Sequence, residues 1–277
     1  MSTCGVHVEI TRPSAERRGQ LRQPRLAEVV AGVLRERIVD GALGDGDLLP
    51  KQDELIEEFR ISRPTLREAL RVLENEGLLT VRRGSVGGSV IQVPTADASA
   101  YTFGLVLQSR RATISDLASA IKHIEPISAS LCATRPDRVR EVVPVLRANL
   151  RQTEAATSDG PQFTALARQF HELLVSCCGN ETLILTVGAL ESLWSEQERQ
   201  WAVRAASEGS YPEERYRRDV LTAHVALVAA IEAGDAEAAG HLDASHLQHS
   251  QRYTLKDSEN QVVRATSLRD GLRTMTL

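Results

Sequence analysis

Residues 61–79 read ISRPTLREALRVLENEGLL, and two stripes of opposite character repeat along them at helical spacing. Leu66, Ala69, Leu70 and Leu73 make the apolar stripe; Arg63, Arg67 and Arg71 make the charged one. Positions three and four apart share a face of an α-helix, so one helix must bury the first stripe and hold the second in water. Ser62 can cap it, Pro64 fits its first turn, where a missing N–H leaves nothing unpaired, and Gly77 stops it. So short a helix needs other elements to cover its leucines, and the flanking sequence supplies them. Upstream, Leu26, Val29, Val30, Val33, Leu34 and Ile38 repeat at the same spacing up to Gly41, and Leu55, Ile56 and Phe59 mark a short helix after Pro50. Downstream, β-type runs at 78–82 and 89–93 flank a glycine-rich loop, which predicts a hairpin. Helix, helix, tight turn, helix, hairpin is the order of a winged helix-turn-helix.

The charge distribution supports that order. The net charge is only −4, which argues against indiscriminate coating of nucleic acid, but the positive charge is placed. Residues 12–25 carry Arg12, Arg17, Arg18, Arg22 and Arg25 against Glu16 alone. Residues 60–83 carry six arginines against Glu68, Glu74 and Glu76. An arginine stripe by itself is most often a solvated face closed by local pairs such as Arg71–Glu74. The hairpin with Arg82 and Arg83 beside its tip shifts the balance toward DNA. Guanidinium groups can hold guanine O6/N7 or phosphate, and recognition helices reach bases with their first turns.

The stretch LLPKQDELIEEFRISRPTLREALRVLENEGLLTVRRGSVGG resembles the DNA-binding domain of the GntR family of bacterial regulators over about residues 24–95. The resemblance implies DNA contacts from Arg63, Thr65 and Arg67 and from a wing around Arg83, Gly84 and Ser85. It departs at Asp53, where family members commonly carry an arginine. An acid there cannot neutralise a phosphate.

Beyond VPTADASAY (93–101), small, polar and Pro-bearing, the pattern is helical at about 113–134, 137–156, 161–178, 181–207, 212–233 and 235–252. The expected class is therefore mainly α: a flexible basic arm (1–22), a winged helix-turn-helix domain (23–94), a linker (95–109), an all-helical effector-binding and dimerisation bundle (110–252) and a disordered tail (253–277). FHELLVSCCGN (170–180), HVALVAAIEAGDAEAA (224–239) and SHL (245–247) are each ordinary apolar helix segments, whose histidines most often end as satisfied core residues. Their order and spacing resemble the FadR-type subfamily, whose FCD effector domain often holds a divalent metal through one Asp and three His. That resemblance places the imidazoles at His171, His224 and His246, and the aspartate at a position occupied by Ala167.

Three alternatives stay open. Three histidines could hold zinc or another divalent metal with an open position, keeping a full +2 charge that favours an anionic ligand. Asp243, near His246, could complete the set. Or no metal binds and the pocket takes a bulkier effector. The subfamily's carboxylate-clamping arginine, four residues before Glu125, is replaced by Ile121, with Lys122 beside it. Lys122 and Asn180 are the candidate effector contacts, and the effector class is a carboxylate or an acyl thioester.

No apolar run approaches the roughly 20 residues that cross a bilayer, and MSTCGVHVEITRPSAERRGQ has no apolar core for a secretory signal. A cytoplasmic protein without a membrane partner is expected. Cys4, Cys132, Cys177 and Cys178 include no C-x-x-C pair and suggest no disulfide framework. No H-E-x-x-H, nucleophile elbow, P-loop or dinucleotide fingerprint is present. The sequence thus predicts a non-enzymatic, ligand-responsive regulator, a repressor acting as a homodimer on a pseudo-palindromic double-stranded operator. The alternative is a metal-dependent hydrolase with an accessory DNA-binding domain.

Overall fold

The apolar stripe of residues 66–73 closes a three-helix core. In the computed structural model, α1 (Leu26–Val39), α2 (Gln52–Phe59) and α3 (Arg63–Asn75) bury Ala31, Leu34, Ile38, Leu55, Leu66, Ala69 and Leu73 against one another. Arg60 turns the chain between α2 and α3 in the left-handed conformation, φ 51°. Ser62 then caps α3, its hydroxyl accepting from the Thr65 amide at 3.3 Å. Strands β1 (Leu79–Arg82) and β2 (Gly88–Ile91) pair antiparallel, with Leu79 opposite Ile91 and Arg82 opposite Gly88. Leu79 and Ile91 point into the same core, which fixes the register. This is the expected winged helix-turn-helix.

The described residues are 25–82, 88–93, 96–256 and 258–265. They form two units that divide between Val93 and Pro94. The basic arm at 1–22 and the hairpin tip, with Arg83, Gly84 and Ser85, lie outside the described residues.

The second unit is all helical: α4 (Ala96–Ser109), α5 (Ile114–Thr134), α6 (Arg138–Glu141), α7 (Val143–Ala155), α8 (Gly160–Ser176), α9 (Glu181–Ser207), α10 (Glu214–Ala233) and α11 (Ala236–Leu255). Three boundaries differ from expectation. The span 95–109 is not a loose linker but helix α4, because Ala100 and Leu107 join the apolar cluster of α9 and Gly104 lets the backbones approach. A Cβ on Gly104 would stand 2.9 Å from the Leu193 side chain. The helix expected over 137–156 is two, since Pro144 has no N–H to give to the carbonyl one turn earlier. Part of the expected tail is regular, packed structure: α11 runs to Leu255, Val263 is fully buried, and its amide donates to the Ala112 carbonyl at 2.9 Å.

The crossing of α5 and α11 brings buried acids and histidines together. At Gly240 the helices touch so closely that a Cβ would meet the Ser130 hydroxyl at 2.6 Å, and Ser130 donates to the Ala236 carbonyl at 2.8 Å. Asp243 and His246, one turn apart, are thereby pressed against Glu125 of α5 and His171 of α8.

Candidate DNA-reading face and metal centre

On α3 the arginine stripe is exposed, opposite the buried leucines. Arg63 is not free on that face: its guanidinium pairs with Asp53 of α2 at 2.7 Å. The unexpected acid therefore holds the leading arginine besides lacking a phosphate contact of its own. Thr65 is half-buried and shares a 2.8 Å hydroxyl contact with Ser62. Arg71 pairs with Glu68 at 3.8 Å rather than with Glu74. Arg82 ends β1 and is exposed. Arg67 is exposed between Arg63 and Arg71 along the helix.

In the second unit three helices deliver three imidazoles to one point. His171 (α8), His224 (α10) and His246 (α11) are buried, and their Nε2 atoms stand 3.0 to 3.3 Å apart. A divalent ion about 2.0–2.1 Å from each nitrogen would set ligand atoms roughly 3.0–3.4 Å apart, so the triangle fits such an ion as it stands. Burial holds all three imidazoles neutral: His171 falls to about 3, and His224 and His246 lie well below the usual range, each pushed further by neighbouring positive or imidazole groups. Three unprotonated nitrogens facing one another need a cation or protons between them. The opposite nitrogen of His171, Nδ1, meets the Glu125 carboxylate at 2.5 Å, which fixes the tautomer that aims Nε2 at the centre. His224 stacks on Phe170 at 4.0 Å between ring centroids.

Asp243 is buried, but on the other side of His171. Its Oδ1 lies 4.0 Å from Nδ1, and it groups with Glu125 and His171 rather than with the three Nε2 atoms. It does not complete the imidazole set in this arrangement. The expectation of an uncompensated +2 charge also fails, because two carboxylates stand directly behind one ligand. The signal was available: Asp243 shares the buried stripe of Ala239, His246 and Ser250 on α11.

A charged network missed in the sequence surrounds this centre. Arg168 is buried on α8 and pairs with Glu191, and with Glu198 at 3.3 Å, both on α9. Glu198 also accepts from the Thr254 hydroxyl at 3.1 Å. Glu125 and Glu191 are both fully buried, and one oxygen of each, Glu125 Oε2 and Glu191 Oε1, has no hydrogen-bond partner among the described residues. Burial pushes Glu191 up to about 8 and raises Glu125 and Asp243 as well. Arg168, surrounded by carboxylates, stays charged.

A cavity of about 30 Å³ opens beside His171 and His246. Its walls include Phe163, Ala167, Trp201 and Tyr216, with hydroxyls from Thr164 and Ser250. Tyr211, on the α9–α10 connection, lines it: its hydroxyl meets that of Thr164 at 2.7 Å, and its ring lies where a Cβ on Gly160 would be only 2.7 Å away. Ala167 thus lines the space that the subfamily's aspartate would fill. Neither candidate effector contact lines the cavity. Lys122 is half-buried on α5, and the Asn180 side chain caps α9 by accepting from the Leu183 amide at 3.1 Å. Ile121 is fully buried in the apolar cluster with Leu117 and Trp194.

Comparison with known proteins agrees with both halves. Residues 26–87 match the model of the bacterial regulatory proteins of the gntR family, and residues 116–249 match the FCD domain. The HTH-type transcriptional repressor NanR of Klebsiella aerogenes is 26% identical over 241 residues, covering 84% of this chain and 86% of that protein. The Uxu operon transcriptional regulator of Escherichia coli K12 is 27% identical over 240 residues, covering 83% and 86%. A solved GntR structure from Streptococcus agalactiae aligns with a TM-score of 0.61 at 25% identity, covering 82% of this chain and 99% of that one. These relatives are transcription regulators, and the hydrolase alternative finds no support among them. No described helix is long and apolar enough to cross a membrane. Fold, exposed arginine helix and helical C-terminal half converge on one assignment: the chain belongs to the GntR family of DNA-binding transcriptional regulators, with an FCD domain as its effector-binding half.

Proposed function

We propose that this regulator is a cytoplasmic repressor that binds a pseudo-palindromic operator as a homodimer and leaves it when a small effector enters the C-terminal cavity. Two winged domains related by a two-fold axis match half-sites about one helical turn apart. Arg63, Thr65 and Arg67 would read bases or phosphates in the major groove, with Arg82, Arg83, Gly84 and Ser85 at the wing. Repression is drawn from the name of NanR, while a Glc operon transcriptional activator, 29% identical over 178 residues, shows that relatives act in both directions.

The observation that carries the effector half is the convergence of three Nε2 atoms within 3.3 Å. His171, His224 and His246 would hold a divalent ion, zinc being one that suits three imidazoles. Such an ion would supply a Lewis acid for an effector oxygen or nitrogen, beside the cavity that His171 and His246 line. Glu125 orients His171, and Tyr211 with Thr164 forms part of the cavity wall. An effector that fits only one arrangement of the helices shifts the population toward it, and operator affinity changes by the same coupling.

Two measurements test the reading. Chelator-stripped protein should melt at higher temperature once Zn2+ is added, because an ion that binds only the folded state stabilises it by about 2.7 kcal/mol at a hundredfold excess over Kd. His171→Ala should abolish that response, and an unchanged melting point in the wild type would remove the metal. For DNA, Arg67→Ala should weaken operator binding roughly five- to 150-fold, the span of one good arginine–base contact. Equal affinity of wild type and variant for genomic fragments would remove α3 as the reader.

A further inference from the structure

The carboxylate missing at position 167 has a counterpart behind the ligands. Asp243 is fully buried, and neither of its oxygens has a hydrogen-bond partner among the described residues. Its Oδ1 is 4.0 Å from His171 Nδ1, the nitrogen that Glu125 holds at 2.5 Å. Glu191 and Glu198 lie behind these, sharing Arg168. Four buried carboxyl groups therefore surround one guanidinium. With all of them ionised, a divalent ion on the imidazoles still leaves one net negative charge. A further anion would add uncompensated negative charge to a dry interior, where it is costly. The cavity wall points the same way: Ala167, Phe163, Trp201 and Tyr216 offer apolar surface, Thr164 and Ser250 offer hydroxyls, and Arg168, the one guanidinium among the described residues of the wall, is already engaged by glutamates.

We propose that Glu125 and Asp243 supply the metal's counter-charge from behind His171, so that the open position selects a neutral oxygen or nitrogen donor over a carboxylate. Asp243 is in this account a positioning residue, acting on the ion through the imidazole. The effector class is an uncharged molecule with a hydroxyl, carbonyl or imine donor on a ring-like or apolar body. This inference rests on the three-imidazole metal site proposed above.

Full-length protein loaded with Co2+ provides the test, because the visible absorption of the ion reports what enters its coordination shell. The probes are azide, a small anion, and imidazole, a neutral donor. Imidazole is expected to change the wild-type spectrum at concentrations at which azide leaves it unaltered. Asp243→Asn should weaken Co2+ binding, measured by chelator competition, about ten- to 100-fold. It should also raise the affinity for azide relative to that for imidazole at least about tenfold. Azide binding to the wild type as tightly as to D243N overturns the proposal, as does a stoichiometry of two Co2+ per chain, which would make Glu125 and Asp243 ligands themselves. A wild type that takes up no Co2+ refutes the metal site as well, and that failure shows at loading, before any probe is added. The azide–imidazole comparison on the wild type decides the matter even where D243N does not fold.

Discussion

The arginines of α3 and the charged groups around His171 are assembled in opposite ways. Arg63 and Arg71 each have 72% of their side chain in solvent and pair with acids nearby in the chain or on the adjoining helix. Arg168, Glu191 and Glu198 have side chains at most 9% exposed and are brought together by the packing of α8 on α9. Water does most of the work of stabilising the first set, so its members can be exchanged, re-paired or handed to DNA at little cost. In the second set each charge depends on the others, and removing one strands its partners. A reader of DNA sequence gains from the first arrangement; a fixed ligand geometry needs the second.

The strongest test of that contrast is Arg168→Ala, expected to lower the stability of the C-terminal unit by about 3–5 kcal/mol, as removal of one partner from a buried ion cluster does. Both tryptophans, Trp194 and Trp201, lie on α9, so urea unfolding followed by their fluorescence reports this unit alone. A loss below about 1 kcal/mol would place Arg168 energetically with the surface arginines.

A smaller effect should appear with pH. Glu191 is raised from its ordinary 4.5 to about 8, so the folded state keeps a proton that the unfolded chain has released. That contribution is complete below 4.5 and disappears as pH rises through 8. Between about pH 6.5 and 8, metal-free protein should therefore lose stability with a slope of at most about 1.4 kcal/mol per pH unit from this group, and Glu191→Gln should flatten it. A wild-type curve that is level or rising over that window would contradict the assignment.

The mildest change is predicted at the surface. Asp53→Asn releases Arg63 from its 2.7 Å pair and should tighten operator binding by about two- to fivefold, the scale of an exposed ion pair, with no change in melting temperature. Unaltered or weaker binding in an anisotropy titration would show that Asp53 does not compete with DNA for Arg63.

The same contrast explains what could be read in advance. α3 declared itself because both of its stripes are local, each repeating every three or four residues within one short stretch. The three histidines were found only through family resemblance, since residues 171, 224 and 246 meet through the packing of separate helices. Glu191 and Glu198 did leave a local trace. Val187, Glu191, Trp194, Glu198, Trp201 and Ala205 form one unbroken buried stripe on α9, with two acids standing where apolar residues belong. Arg168, adjacent to the missing aspartate, likewise stands on the buried stripe of Thr164, His171 and Val175 on α8, but its partners show only where α8 packs on α9. Helix α4 is not legible in the sequence because its small residues, which suit close helix packing, have the composition of a linker, and Phe103, Leu105 and Val106 remain exposed on it.

The size of the space beside His171 and His246 has its own consequence. About 30 Å³ admits roughly one or two water molecules and no carbon skeleton. A guest larger than that space must displace one of its walls, for example by parting the Tyr211 hydroxyl from Thr164. Its measured affinity will fall short of what its contacts alone would give, by the free energy of that opening. This shortfall is where occupancy becomes movement: a guest that displaces the α9–α10 connection spends binding free energy on shifting the helices it joins.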